Sequence, residues 1–159
     1  VLSDYINSQF DPALSWRDVE WFQEHWKGPI LLKGIQSVED ARLAAQSGVE
    51  AIALSNHGGR QLDQGPAIAD LVAPVADAVG DSLEIICDGG VRRGSDILKA
   101  VALGARACMM GRPYLYALGA GGQRGIEFLL AHLHEGVKQT MALVGADNIL
   151  ELDEDLIES

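Results

Sequence analysis

The feature that most constrains this chain is a fourfold alternation of short apolar segments with longer amphipathic ones. The apolar segments cover residues 30–32, 51–54, 83–87 and 107–110. Apart from Glu84 they are continuously apolar, which is typical of parallel strands that helices cover on both faces of a sheet. The repetition therefore predicts four βα units with parallel strands.

Capping signals predict where the intervening helices begin and end. Ser15 and Ser37 precede amphipathic segments, and Gly48 follows the second of them. Serine at the start of a helix and glycine just past its end are common boundary residues. We expect helices over residues 15–25, 37–47, 67–79, 94–103 and 125–144, a further helix that starts near Pro113, and a short acidic helix at the end.

Chain length limits how much of a barrel can be present. A closed eight-stranded βα barrel needs about 250 residues, whereas this chain has 159. Four parallel strands by themselves would leave two edges with unpaired backbone groups. We therefore expect an α/β fold in which residues 1–159 form a single segment, half of a barrel whose other half lies elsewhere.

Charge and cysteine content exclude several classes of function. The formal net charge is −11, from 23 acidic and 12 basic residues, which argues against general nucleic-acid binding. Residues 147–159 carry six of the acids and no base, so we expect a solvated terminal helix, with contact to a basic partner as the alternative. Cys87 and Cys108 lie in apolar segments without a CxxC spacing, and we expect small buried side chains rather than a metal or redox pair. No apolar run approaches the roughly 20 residues that span a bilayer.

Each predicted strand is followed by a distinctive polar or glycine-rich group. The first strand ends at Lys33-Gly34, and the others are followed by residues 55–60, 88–94 and 111–113. In βα barrels the active site lies at the C-terminal ends of the strands. The four groups are therefore expected to surround one mouth.

The third and fourth groups predict a phosphate-bearing ligand. Their glycines allow a ligand to approach the backbone, and Gly94 opens a helix whose N-terminus favours an anion. Arg92 and Arg112 can each bind phosphate with two hydrogen bonds. Plain turn geometry is the alternative for the glycines. Asp88 could accept hydrogen bonds from ligand hydroxyls, or it could cap a helix or pair with Arg92 or Arg93.

The first and second groups predict chemistry on a small acid. His57 is the side chain best suited to removing a proton near neutral pH. Arg60 can bind a carboxylate, and Gly58-Gly59 leaves room for a substrate between the two. A purely structural histidine is the alternative. Lys33 ends an apolar strand, which is costly for an unpaired charge; the alternative is a surface lysine whose amine reaches solvent.

These residues resemble the FMN-dependent α-hydroxy-acid oxidases and dehydrogenases, a family that includes glycolate oxidase, L-lactate dehydrogenase and mandelate dehydrogenase. The segment SNHGGRQLD from Ser55 resembles the active-site signature of that family. Three further segments match in the same order: ILLKGI around Lys33, DGGVRRGSDILKA from Asp88, and GRPYLY from Gly111. The resemblance implies the C-terminal half, strands 5–8, of a TIM (β/α)8 barrel, plus C-terminal helices.

The resemblance also implies a role for each site residue. His57 would be the base, Arg60 would bind the substrate carboxylate, and Lys33 would stabilise negative charge at the flavin N1–O2 edge. The remaining implied contacts are all with FMN: Ser55 with the flavin, Asp88 with the ribityl hydroxyls, and Gly89, Gly90, Val91, Arg92, Gly111 and Arg112 around the phosphate.

The implied reaction is oxidation of an (S)-2-hydroxy acid to a 2-oxo acid, with FMN accepting two electrons. The implied partners are the N-terminal half of the same barrel, with strands 1–4, and further copies in a homotetramer. We expect a cytoplasmic protein, with peripheral membrane attachment through a segment outside this chain as the alternative. Two rival functions are another FMN-dependent barrel enzyme, of the isomerase type, and a non-catalytic flavin- or phosphate-binding half barrel. Arg60 argues against the isomerase, because it implies a carboxylate substrate.

Overall fold

The computed structural model describes residues 4–5 and 8–157. Its helices are α1 (Trp16–His25), α2 (Val38–Ser47), α3 (Ala69–Val79), α4 (Gly94–Ala102) and α5 (Arg112–Val144). Its strands are β1 (Leu31–Ile35), β2 (Ala51–Ser55), β3 (Glu84–Asp88) and β4 (Ala107–Met109). Three short 3-10 helices cover His57–Gly59, Ile149–Glu151 and Glu154–Leu156.

The four strands form one parallel sheet in the order β1-β2-β3-β4. Ser55 pairs with Asp88, and Asp88 pairs with Met109, so the C-terminal ends of three strands lie at the same edge. A sequential parallel order is the arrangement expected of four consecutive βα units. The predicted α/β architecture is confirmed.

The first strand runs further than the sequence indicates. We expected it to end at Lys33, but β1 continues to Ile35 across a shift in register between those two residues. Gly34 makes the shift possible because its φ of 101° is open to glycine and rarely to other residues. Lys33 therefore lies inside the strand, where its backbone is fixed by pairing with β2.

The hydrophobic core lies between the sheet and the helices. Ile52, Leu54 and Ile85 are its largest fully buried aliphatic side chains, and each contributes about 1.5–3 kcal/mol through burial. Both cysteines are free thiols; Cys87 is buried in this core as predicted, whereas Cys108 packs against it and is only half-buried. The core therefore lies on one face of the sheet, whereas the side chains of Lys33 and Asp88 lie on the other face.

The predicted capping residues begin and end the first helices. The backbone N–H of Ser15 donates to Asp18 at 2.6 Å, and the hydroxyl of Ser37 accepts from the N–H of Asp40 at 3.0 Å. Gly48 ends α2 with a φ of 75°. These predicted boundaries are confirmed. They can be predicted from sequence because a capping side chain bonds to a residue only a few positions away in the chain.

The C-terminal region differs from the prediction. The two helices expected there form α5, which is interrupted at Gly122, where φ is 56° and ψ is −139°. The expected acidic helix is wrong for the described residues, which form only the 3-10 helices Ile149–Glu151 and Glu154–Leu156. Adjacent acids without a basic partner one turn away disfavour a regular helix; residues 158–159 lie outside the described part.

No helix of the described residues has the length and apolarity needed to cross a membrane.

Helices α4 and α5 cross at two glycines. Gly94 is buried, and a Cβ placed on it would overlap the backbone of Gly136 and Val137. We expected Gly94 to present a helix N-terminus to an anion. That expectation stays a prediction: in this turn the carboxylate of Asp96 accepts the N–H groups of Arg92 and Arg93, which precede Gly94, at 2.9 Å each. This crossing holds the start of α4, and with it residues 89–93.

Candidate active site

A cavity of about 840 Å³ opens at the C-terminal ends of the strands. It is lined by every predicted site residue except Ser55: Lys33, His57, Arg60, Asp88, Gly89, Gly90, Val91, Arg92, Gly111 and Arg112. We call this cavity the cleft. The structure thus brings together residues that are up to 79 positions apart in the chain, from Lys33 to Arg112.

Ser55 lies beneath the cleft and links three of the other residues. It is fully buried, with 0% of its surface exposed. Its hydroxyl donates to a carboxylate oxygen of Asp88 at 2.7 Å and accepts from the amine of Lys33 at 3.0 Å. It also accepts from the backbone N–H of His57 at 3.1 Å. One buried hydroxyl therefore holds the ends of β1, β2 and β3 together.

Lys33 and Asp88 form an ion pair at the floor of the cleft. The amine nitrogen and carboxylate oxygen are 2.6 Å apart, with side-chain exposures of 39% and 18%. Burial alone would raise the pKa of Asp88, but hydrogen bonds from Lys33 and Ser55 and the charge of Lys33 outweigh it and lower that pKa below 3.8. Asp88 therefore pairs with Lys33 rather than with Arg92 or Arg93, and it is ionised and able to accept hydrogen bonds.

This lowered pKa predicts a pH dependence of stability. A carboxyl group whose pKa is depressed by folding stabilises the fold above its unfolded-state pKa, and the effect is lost as pH falls through the folded value. We expect the melting temperatures of the full-length protein and its Asp88→Asn variant to differ most near pH 7 and to converge below pH 3.8. Asp77→Asn removes an exposed carboxylate of α3 and should show no such convergence. A difference that grows toward low pH would contradict the prediction.

His57 adopts an unusual backbone conformation. Its φ is 52°, and no other residue except glycine has a positive φ in the part of the chain that the structure describes. The side chain is exposed, and a Cβ placed on Gly34 would lie 3.4 Å from its Cε1 atom. The imidazole therefore lies over Gly34, near the end of β1.

The arginines of the cleft differ in what they contact. Within the described residues, the guanidinium groups of Arg60 and Arg92 have no hydrogen bond or ion pair to protein. Arg112 donates to the backbone carbonyl of Gly58 at 3.2 Å. Free guanidinium groups in a cleft are available to bind anions.

The glycines of the cleft leave space for a ligand. A Cβ on Gly90 or Gly111 would meet nothing within 4 Å, so the backbone at both positions faces open space. Gly90 also has a φ of 77°, which favours glycine. Open backbone beside Arg92 and Arg112 suits a phosphate, and the ionised Asp88 suits hydroxyl groups.

Sequence reasoning missed the apolar lining of the cleft. Met109, Met110, Leu115 and Tyr116 line it together with the predicted residues. Met109 and Met110 were assigned to a buried strand because they continue its apolar run. Their position directly before Gly111-Arg112 was the available signal that they face the ligand. A polar end next to an apolar wall suits a ligand with a phosphate and a planar ring system.

The fold and cleft define half of a flavin-binding TIM barrel, and the comparisons with known proteins bear this out. The model of the FMN-dependent dehydrogenase family matches residues 1–159. The chain belongs to that family, and the resemblance drawn from the sequence is confirmed. The cofactor of the family, FMN, fits the donor groups and open backbone of the cleft.

Curated relatives are 43–48% identical to this chain over the residues that align. An L-lactate dehydrogenase of Alcaligenes faecalis is 43% identical over 153 residues, which are 96% of this chain and 40% of that protein. A Pre-mycofactocin synthase of Mycolicibacterium smegmatis is 48% identical over 141 residues, which are 89% of this chain and 35% of that protein. The chain thus spans about 40% of the length of the lactate dehydrogenase it matches.

Solved structures confirm the half-barrel fold. The flavin-binding domain of baker's yeast flavocytochrome b2 matches with a TM-score of 0.89 and 43% identity, over 94% of this chain and 39% of that chain. A monotopic membrane protein, (S)-mandelate dehydrogenase, matches with a TM-score of 0.91 and 37% identity, over 98% of this chain and 41% of that chain.

Proposed function

We propose that the protein containing this chain oxidises an (S)-2-hydroxy acid to a 2-oxo acid, with FMN as its cofactor. The observation that carries the proposal is that His57 and Arg60 occur together in the cleft. They lie three residues apart on one loop and both line the cleft. Neither side chain is engaged by another described residue. A free imidazole and a free guanidinium that line the same cleft suit a substrate that has a carboxylate next to an oxidisable carbon.

Each side chain has a role that follows from its chemistry. Arg60 binds the substrate carboxylate with two hydrogen bonds. His57 accepts a proton from the substrate through its imidazole. Bound FMN supplies the two-electron acceptor.

The other residues of the cleft would hold the cofactor. Arg92, Arg112 and the backbone of Gly89–Val91 would bind the phosphate, and Asp88 would accept hydrogen bonds from ribityl hydroxyls. Lys33, with its position fixed by Asp88 and Ser55, would stabilise negative charge on the ring. The ion pair with Asp88 fixes the amine of Lys33 at the floor of the cleft.

The remaining strands of the barrel would come from an N-terminal half of the same protein. Strands β1 and β4 each pair with one neighbour only in the described structure, and such edges require a partner or a cover. The relatives are more than twice as long as this chain, which leaves room for strands 1–4. We further propose a homotetramer in the cytoplasm; attachment at a membrane surface is the alternative, since the mandelate dehydrogenase relative is described as monotopic.

The experiment that tests the proposal is an absorption spectrum of the full-length protein. The spectrum is taken before and after anaerobic addition of L-lactate, glycolate or (S)-mandelate. Bound flavin that bleaches with one of these acids is the expected result, and it identifies the substrate class. Flavin that bleaches with none of them would contradict the roles of His57 and Arg60, and a protein without flavin would contradict the cofactor site.

A second candidate is a different FMN-dependent reaction. It is favoured by the relative named Pre-mycofactocin synthase, which is 48% identical. In that case the cleft would still bind flavin, but 2-hydroxy acids would not reduce it. A non-catalytic half barrel would bind flavin and would gain no turnover in the presence of the N-terminal half.

A further inference from the structure

The conformation of His57 requires something to hold it. A positive φ at a non-glycine residue costs about 1–2 kcal/mol, because Cβ then crowds the following carbonyl. Such strain persists only where surrounding contacts fix the backbone. The contacts around His57 therefore identify the residues that set the direction of its imidazole.

Asn56 bonds to both ends of the segment that carries His57 and Arg60. Its side-chain oxygen accepts the backbone N–H of Gly58 at 3.0 Å. Its side-chain nitrogen donates to the carbonyl of Pro66 at 3.1 Å. The first bond spans His57 and favours a tight turn there; the second ties the far end of the loop to its start.

Two other residues fix the same stretch of backbone. The hydroxyl of Ser55 accepts the N–H of His57 at 3.1 Å, and Arg112 donates to the carbonyl of Gly58 at 3.2 Å. Both residues also belong to the proposed cofactor site, so substituting them would disturb more than the loop. Asn56 is different, because it does not line the cleft. Its effect on His57 can be measured separately.

We infer that Asn56 is a positioning residue for His57: its two hydrogen bonds hold His57 in the left-handed conformation that directs the imidazole over Gly34. The inference rests on the proposed role of His57 as the base. Asn56 does not line the cleft in which the substrate and cofactor would bind. Its contribution to the reaction is the placement of the imidazole, and misplacing a reacting group by about 1 Å can cost about 100-fold in rate.

The chain offers a matched control for the test. The side-chain oxygen of Asn148 accepts the backbone N–H of Leu150 at 3.0 Å. Asn56 makes the equivalent bond to the N–H of Gly58, also two residues further along the chain and also at 3.0 Å. Asn148 precedes the 3-10 helix Ile149–Glu151, and neither it nor that helix lines the cleft. Asn148→Ala therefore removes an equivalent local bond away from His57.

The experiment measures flavin reduction and amide exchange in the full-length holoenzyme. We expect Asn56→Ala to lower kcat by about 10- to 100-fold and to speed hydrogen exchange at the Gly58 amide. Asn148→Ala should leave kcat within about twofold, since it loses a remote surface bond. Asn56→Asp keeps the acceptor for Gly58 and loses the donor to Pro66, so it should retain more activity than Asn56→Ala and remains a usable variant if the alanine variant does not fold.

A double-mutant cycle separates positioning from general damage. If Asn56 acts through His57, then Asn56→Ala should cause no further loss of kcat in a His57→Gln background. An equal loss in both backgrounds would overturn the inference, as would unchanged exchange at the Gly58 amide in Asn56→Ala. Failure of the proposed function would give a different result: no 2-hydroxy acid would reduce the flavin of the wild-type protein. The amide exchange then still decides whether Asn56 holds the loop.

Discussion

Replacing His57 with glutamine is expected to lower kcat by about 100- to 10,000-fold, the usual contribution of a general base. Glutamine is similar in size to histidine but cannot accept a proton near neutral pH. The His57 imidazole makes no hydrogen bond to another described residue, so its replacement leaves no buried partner unsatisfied. The amount of bound FMN and the melting temperature should therefore stay close to those of the wild type.

The measurement is the rate of anaerobic flavin reduction after rapid mixing with the 2-hydroxy acid that bleaches the wild-type protein. His134→Gln is the matched control, because His134 is an exposed residue of α5 that does not line the cleft. It should reduce flavin at the wild-type rate. A His57→Gln variant that keeps more than about one tenth of the wild-type rate would contradict the role of His57 as base.

The sequence was sufficient to predict most of the polar residues and glycines that meet in the cleft, although not its apolar lining. Lys33, His57, Asp88 and Arg112 each follow or end a predominantly apolar strand. Parallel strands in sequential order place such residues at one edge of the sheet, whatever the details of packing. This part of the site depends only on strand positions, and apolar runs mark those positions clearly.

The contacts between those residues could not be predicted. Ser55 is separated from Asp88 by 33 positions and from Lys33 by 22, so their hydrogen bonds depend on register, which the apolar runs do not fix to one residue. The continuation of β1 past Lys33 depends on the φ of Gly34. The left-handed conformation of His57 depends on contacts from Ser55 and Asn56 that outweigh its local preference. The register comes from tertiary structure, whereas Gly34 and His57 adopt backbone conformations that their residue types allow but do not specify.

Replacing Gly94 with alanine is expected to destabilise the protein by about 3 kcal/mol. A methyl group at this position would overlap backbone atoms of Gly136 and Val137, which cannot rotate away as a flexible side chain could. Helices α4 and α5 would have to separate. Because α4 begins directly after the loop that carries Arg92, the same change should displace that guanidinium and weaken the binding of FMN.

The measurements are the urea midpoint of the full-length protein and the FMN that it retains after gel filtration. Gly119→Ala is the matched control: Gly119 is exposed in α5, and a Cβ placed on it meets nothing within 4 Å. Alanine at an exposed helical position stabilises by about 0.5–1 kcal/mol relative to glycine, so the two substitutions should shift the midpoint in opposite directions. A Gly94→Ala midpoint at or above that of the wild type would contradict the close crossing of the two helices. A lowered midpoint with full FMN retention would support the crossing but contradict the link from that crossing to the phosphate loop.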